Sequence, residues 1–246
     1  DGRDSAELAR HGVLDETRVR RWRTECSEEI ARHAALLEAR REGGFMRRCH
    51  GDAHLRNFVL WEGRATLFDA IEFNDDFAVI DVLYDLAFLL MDLWERRRPD
   101  LANAAFNRYL SATGDPVPAI AGPRPYTLAA MPPGARTIDE GCELIESVPL
   151  SPPVSRVSRP ANSRKSVLGG LALLPLYLSA RASVRAHVSL SIAAAQSDAA
   201  RAAVLRHDAG DYLDLALAFL HPPPPVLVAI GGLSGTGKTA LARDLA

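Results

Sequence analysis

Cysteine, net charge and uninterrupted apolar sequence are all scarce in this 246-residue chain, and each scarcity removes a class of protein. The three cysteines (Cys26, Cys49 and Cys142) lie far apart with no metal-ligand spacing, which fits free thiols in a reducing compartment. A formal net charge of -2 gives no reason to expect a nucleic-acid partner. The densest basic stretch, Arg18 to Arg23, is interspersed with acidic neighbours and reads as a solvated helix face. The most apolar stretch, Leu171 to Ala195, is interrupted by Arg181, Arg185 and His187, so no membrane span is expected. No charged-then-apolar leader opens the chain. Together these point to a cytoplasmic protein. The first residue is Asp1 and the last, Ala246, falls inside a helical pattern, from which a fragment is expected. No lysine precedes Asp52.

What is present is mostly helical. Val19, Trp22, Cys26, Ile30 and Leu37 recur at three-, four- and seven-residue spacings and predict one long helix over Asp15 to Arg41, capped by Asp15 and stopped by Gly43-Gly44. Arg47 to Arg56 reads as a loop. Asn57 to Trp61 and Arg64 to Phe68 flank Glu62-Gly63 as a β-hairpin. Ile80 to Trp94 is almost wholly apolar apart from Asp81, Asp85 and Asp92, the pattern of a helix buried on most sides. Helix continues over Leu101 to Leu110 and again from Leu171 to Leu220, with Pro175 near the start of the first helix there. Pro116 to Val167 holds most of the prolines and no sustained period, and is read as a disordered insertion. His221 to Pro225, with four consecutive prolines, reads as a stiff linker.

Two constellations carry chemistry. The first is Cys49-His50-Gly51-Asp52-Ala53-His54-Leu55-Arg56-Asn57, followed by the hairpin and Phe68-Asp69. With Glu62-Gly63 at the tip, Trp61 pairs with Arg64 and Asn57 falls opposite Phe68. Asp69 then emerges beside Asn57, with Asp52 on the loop just before it. Two carboxylates and a carboxamide at one point suit phosphoryl transfer, in which oxygen ligands hold magnesium and a carboxylate accepts the proton of the attacking hydroxyl. An ordinary loop carboxylate at Asp52 and a turn residue at Asp69 are the plainer readings. His50 is read as structural, and His54 as a structural histidine or a substrate contact. Glu72, Asn74, Asp75 and Asp76 read as a polar substrate site or as a solvated acidic loop.

His-Gly-Asp, an Asn five residues after that Asp, and a strand ending in Asp resemble the catalytic core of the aminoglycoside phosphotransferase family, relatives of protein kinases. The resemblance implies that Asp52 is the catalytic base, that Asn57 and Asp69 bind magnesium (Mg2+), and that ATP donates phosphate to the hydroxyl of a small molecule. Asp81-Val82-Leu83-Tyr84-Asp85-Leu86-Ala87 resembles the segment that buttresses the catalytic loop in that family, with His50 and Asp85 in support. It further implies an α+β, mainly helical fold, the C-terminal lobe of a kinase-like protein over residues 1–115 and 168–220. The family's N-terminal lobe, with its phosphate-gripping lysine, has no counterpart before Asp52. Phe68-Asp69-Ala70-Ile71-Glu72-Phe73-Asn74-Asp75 is closer to a bacterial subgroup fused to a P-loop domain than to the resistance enzymes.

The second constellation is Val226 to Ile230, an apolar β-branched run, followed by Gly232-Leu233-Ser234-Gly235-Thr236-Gly237-Lys238-Thr239 and a helical pattern to Ala246. This is the strand, phosphate loop and helix that open a P-loop α/β domain. Gly232, Ser234, Gly235, Thr236 and Gly237 let backbone N–H groups close around phosphate, Lys238 reaches the β and γ positions, and Thr239 contacts magnesium. The leading expectation is therefore a small-molecule kinase within a bifunctional parent protein, with the fragment itself inactive and weak in nucleotide binding. The rivals are a non-catalytic kinase-fold module that regulates or scaffolds a P-loop enzyme, and a domain that delivers substrate to it.

Overall fold

The computed structural model describes residues 14–113, 136–137 and 170–222. Helix α1 (Glu16–Arg32) starts where the Asp15 carboxylate accepts the Thr17 N–H at 2.9 Å, satisfying one of the open amides of the first turn. Val19 and Cys26 are buried on its inner face, and Trp22 packs between them. The Trp22 indole N–H donates to the Ser179 hydroxyl at 2.9 Å, so two polar groups facing the core satisfy each other.

The expected single helix is in fact two. It breaks at His33, whose N–H returns to Ala31 and Glu29 while its C=O opens α2 (Ala34–Glu42). The break resets the helical phase: Leu36 and Leu37 reach the core beside Cys26, whereas Ile30, on the expected apolar stripe, is left 47% exposed. The basic run behaves as a solvated face, with Arg18, Arg20 and Arg21 bonded to Asp214, Glu16 and Glu25. Helix α2 ends in a Schellman turn. Gly44, at φ +76°, bonds back to Arg41, and Phe45 bonds back to Arg40. The guanidinium of Arg40 lies 4.1 Å over the Phe45 ring.

The chain then enters β1 (Met46–Arg48), which pairs antiparallel with β4 (Val79–Asp81), Met46 opposite Asp81. Neither three-residue strand is marked by alternation in the sequence. A 3₁₀ turn (Leu55–Asn57) leads into the hairpin β2 (Phe58–Trp61) and β3 (Arg64–Leu67). Its register is the expected one, with Trp61 opposite Arg64 and the Phe68 N–H bonded to the Asn57 carbonyl at 3.0 Å. The two-residue turn requires positive φ at both Glu62 (50°) and Gly63 (72°). A two-residue strand, β5 (Arg136–Thr137), adds to the other edge of β2.

A short helix α3 (Asp75–Ala78) precedes β4, and the long helix α4 (Val82–Glu95) follows it. Asp81, expected inside that helix, instead caps it by accepting the Leu83 N–H at 2.8 Å. Phe88 and Met91 of α4 are wholly enclosed by α6 (Leu174–Ala195) and α7 (Ala199–Leu220), each contributing about 1.5–3 kcal/mol of burial. Pro175 stands in the first turn of α6, where its missing N–H costs nothing. Ala182, Ala186, Ala209 and Ala216 line the contact between α6 and α7 with almost no exposure, small side chains that let the two helices approach closely. Helix α5 (Pro99–Thr113) packs its Ala102 against the side of α4 that carries Leu90 and Leu93.

The result is a mainly helical α+β arrangement with two small sheets. Of the proline-rich stretch 116–167, all but Arg136 and Thr137 lies outside the described residues, as does the whole segment 226–246. Among the described residues no helix is long and apolar enough to cross a membrane.

Candidate active site

The loop from Cys49 to Asn57 is held from three sides. From the end of α3, just before β4, the Ala78 carbonyl accepts the Cys49 N–H at 2.8 Å. From α4, the Asp85 carboxylate accepts the N–H groups of His50 (3.2 Å) and Gly51 (2.9 Å), and the buried Asp92 carboxylate accepts that of Leu55 (2.8 Å). From beyond the hairpin, the Phe68 carbonyl accepts from His50 Nε2 at 2.8 Å and the Ile71 N–H donates to the His50 carbonyl at 2.9 Å. The buried His50 thus ties the loop to the end of β3, and Asp85 accepts two of the loop's backbone N–H groups.

Within this frame Asp52 and Asn57 meet. Asn57 Nδ2 donates to the Asp52 carbonyl (2.9 Å) and to its Oδ2 (3.1 Å). His54 caps the 3₁₀ turn by accepting the Arg56 N–H at Nδ1, which puts its ring proton on Nε2, 3.4 Å from the same Oδ2. The Phe88 ring meets the imidazole edge-on at 5.5 Å. Burial alone would raise the Asp52 carboxyl, but His54, Asn57 and the nearby Arg185 together hold it below its ordinary value. The side chain remains 38% exposed, so this carboxylate is charged at neutral pH and reachable from solvent.

Asp69 stands one residue past Phe68 and is exposed. Its φ of 61° is a left-handed conformation that costs an aspartate free energy, and such strain persists only where surrounding contacts enforce it. No described side chain pairs with its carboxylate. Asn57, with its amide nitrogen committed to Asp52, likewise has an Oδ1 that accepts no hydrogen bond among the described residues. No cluster of three His, Cys, Asp or Glu side chains forms a metal cage among the described residues. Magnesium does not need one. It is commonly held by one or two protein oxygens together with water and substrate phosphates, and two unspent oxygen groups at the loop fit that requirement.

Two buried residues on the loop's inner side went unassigned by sequence reasoning. Asp92 anchors Leu55, and Arg181, only 5% exposed, reaches the loop from α6. Their only signal was a charge within an apolar run. Of the acidic group after the strand, Asn74 caps α3 through the Asp76 N–H (2.9 Å), Asp75 pairs with Arg48, and Glu72 and Asp76 are exposed. That is the solvated-loop reading. The Cys49 thiol faces the Ile80 carbonyl at 3.6 Å, and burial, with Asp85 and Asp81 adding to it, pushes it up to about 12, which disfavours the thiolate. The phosphate-loop residues Gly232, Ser234, Gly235, Thr236, Gly237, Lys238 and Thr239 lie outside the described residues.

The chain is 26% identical, over 243 residues, to the uncharacterized proteins Rv2004c of Mycobacterium tuberculosis and Mb2027c of Mycobacterium bovis. The match covers 98% of this chain but 37% of each relative, so the chain spans little more than a third of their length. No solved structure matches it. The model of the phosphotransferase enzyme family (APH) matches residues 2–126, just over half of the 246 residues, including the whole loop and hairpin. The chain belongs to the phosphotransferase enzyme family.

Proposed function

We propose that this chain carries the chemical centre of an ATP-dependent phosphotransferase acting on a hydroxyl of a small molecule. The observation that carries the reading is the Asp52–Asn57 pair. One carboxylate oxygen of Asp52 is tied by Asn57 and approached by His54, and the side chain stays charged and partly open to solvent. Such a group orients an acceptor hydroxyl and takes its proton as the acceptor oxygen bonds to the γ-phosphorus. The bond from that phosphorus to its bridging oxygen breaks, and ADP leaves with the electron pair. Asn57 holds Asp52 through Nδ2 and offers Oδ1 to a cation, and Asp69 offers its unpaired carboxylate. Bound magnesium would supply neutralisation of phosphate charge there.

The same reading extends to the sequence pattern at Gly232–Thr239, taken as the opening of a second, P-loop nucleotide site in a longer cytoplasmic protein. Its support is the strand, loop and helix order in the sequence, together with relatives that run well beyond the matched region.

The test is turnover of the full chain against magnesium concentration, with aminoglycosides, sugars and choline-like alcohols as acceptors and water as the basal one. Asp52→Asn should lower kcat by about a hundredfold or more with the apparent constant for ATP little changed. Asp69→Asn should instead raise the magnesium requirement and the apparent ATP constant together. Near-full phosphorylation of every acceptor by Asp52→Asn would remove the assignment.

A further inference from the structure

We infer that Arg181 is a positioning residue of this site, fixing the peptide that joins Gly51 to Asp52 and with it the direction of the Asp52 side chain. The inference rests on the reading of Asp52 as the base. Gly51 has φ +82°, and a Cβ there would stand 3.0 Å from Ile71 Cδ1 and 3.1 Å from the Phe77 carbonyl. The position therefore demands glycine, the residue whose neighbouring peptides rotate most freely. Something outside the loop must hold that peptide, immediately before the side chain that does the chemistry.

The holding group is a buried clamp. Asp85 Oδ1 accepts the Gly51 N–H at 2.9 Å, and Arg181 Nη1 donates to the Gly51 carbonyl at 3.0 Å. Arg181 Nη2 lies 3.7 Å from the same Asp85 oxygen, so the two halves of the clamp also attract each other. The guanidinium is itself fixed. Its Nε donates to the Tyr84 carbonyl at 3.0 Å, and its Cζ lies 3.8 Å from the centre of the Tyr84 ring and 4.7 Å from that of Phe88. A planar fork holds two carbonyls in fixed directions and keeps its charge beside the carboxylate, which the freely rotating ammonium of lysine does with less geometric constraint. Arg181 lies on α6, beyond residues 2–126 matched by the family.

The experiment compares Arg181→Met and Arg181→Lys in the full chain by amide hydrogen exchange resolved by NMR. Methionine keeps apolar packing on Tyr84 and Phe88, and lysine keeps the charge beside Asp85. Arg181→Met should speed exchange at His50 and Gly51 by about tenfold or more while the amides of Met91 and Ala182 keep their protection. Arg181→Lys should give a smaller change at the same two amides. Turnover of Arg181→Met should fall with the apparent ATP constant unchanged. Unchanged exchange at Gly51 in a folded Arg181→Met overturns the inference. If Arg181→Met loosens the whole molecule, Arg181→Lys decides, and equal acceleration at loop and helix amides overturns it. Exchange does not depend on what Asp52 does, so this outcome is separate from the Asp52→Asn turnover test.

Discussion

Asp81 and Asp85 stand four residues apart at the start of α4, and each faces a buried arginine. Their surroundings differ in one respect. Asp81 is enclosed by four donors: Arg40 Nε (2.6 Å) and Nη2 (2.7 Å), the Tyr177 hydroxyl (3.0 Å) and the Leu83 N–H (2.8 Å). It joins α2, α4 and α6, with a bidentate ion pair at 4–5% exposure. Asp85 accepts hydrogen bonds from the backbone of the loop at His50 and Gly51 and keeps its arginine at 3.7 Å. One carboxylate closes a knot between helices and the other reads out the loop. A buried charge pair can therefore serve cohesion or geometry, and the partners' backbone or side-chain character tells which.

Breaking the knot should have the largest effect on stability. Asp81→Ala leaves Arg40 buried without its counter-ion and should cost about 3–5 kcal/mol, measurable by urea denaturation. Gly170→Ala should cost less, about 1–3 kcal/mol, because its Cβ would sit 2.6 Å from Arg40 Nη1 and push the pair apart. Asp85→Asn should cost only about 1 kcal/mol, since its oxygen can still accept one loop amide, yet it should reduce turnover by about tenfold through the loop. The smallest effect is at Cys49. The unfolded chain's thiol loses its proton near the ordinary 9.0, whereas the folded one keeps it up to about 12. Deprotonation thus favours the unfolded chain first, and this group's share of stability declines as pH rises through that window. Cys49→Ala should flatten the decline of the urea midpoint above 9.0. The comparison sharpens here, because Asp85 weighs more on this thiol than Asp81 does. Asp85→Asn should therefore bring the thiol's titration down further than Asp81→Asn.

The parts legible in the sequence were those set by neighbours along the chain. The hairpin register followed from two turn residues, and Asp15 was marked as a cap by its type and place. Asp52 was expected on the loop just before Asn57, and the two side chains lie within hydrogen-bond distance there. What stayed hidden depends on partners far away. The Tyr177–Asp81 bond spans 96 residues and the Arg181–Gly51 bond 130, and no local period signals either. The split at His33 was missed because both halves remain helical and only the phase changes. The left-handed turn at Asp69 was missed because aspartate carries no obligation to adopt it.

The 130-residue reach of Arg181 also orders events during synthesis. At about 5–20 residues per second, on the order of ten seconds separate the emergence of Gly51 from that of the arginine that grips it. Through that interval the nascent loop has its glycine, its aspartates and its hairpin but not its last fastening. A chain stalled or cleaved before α6 would retain every residue matched by the family and still carry the Gly51–Asp52 peptide unfastened.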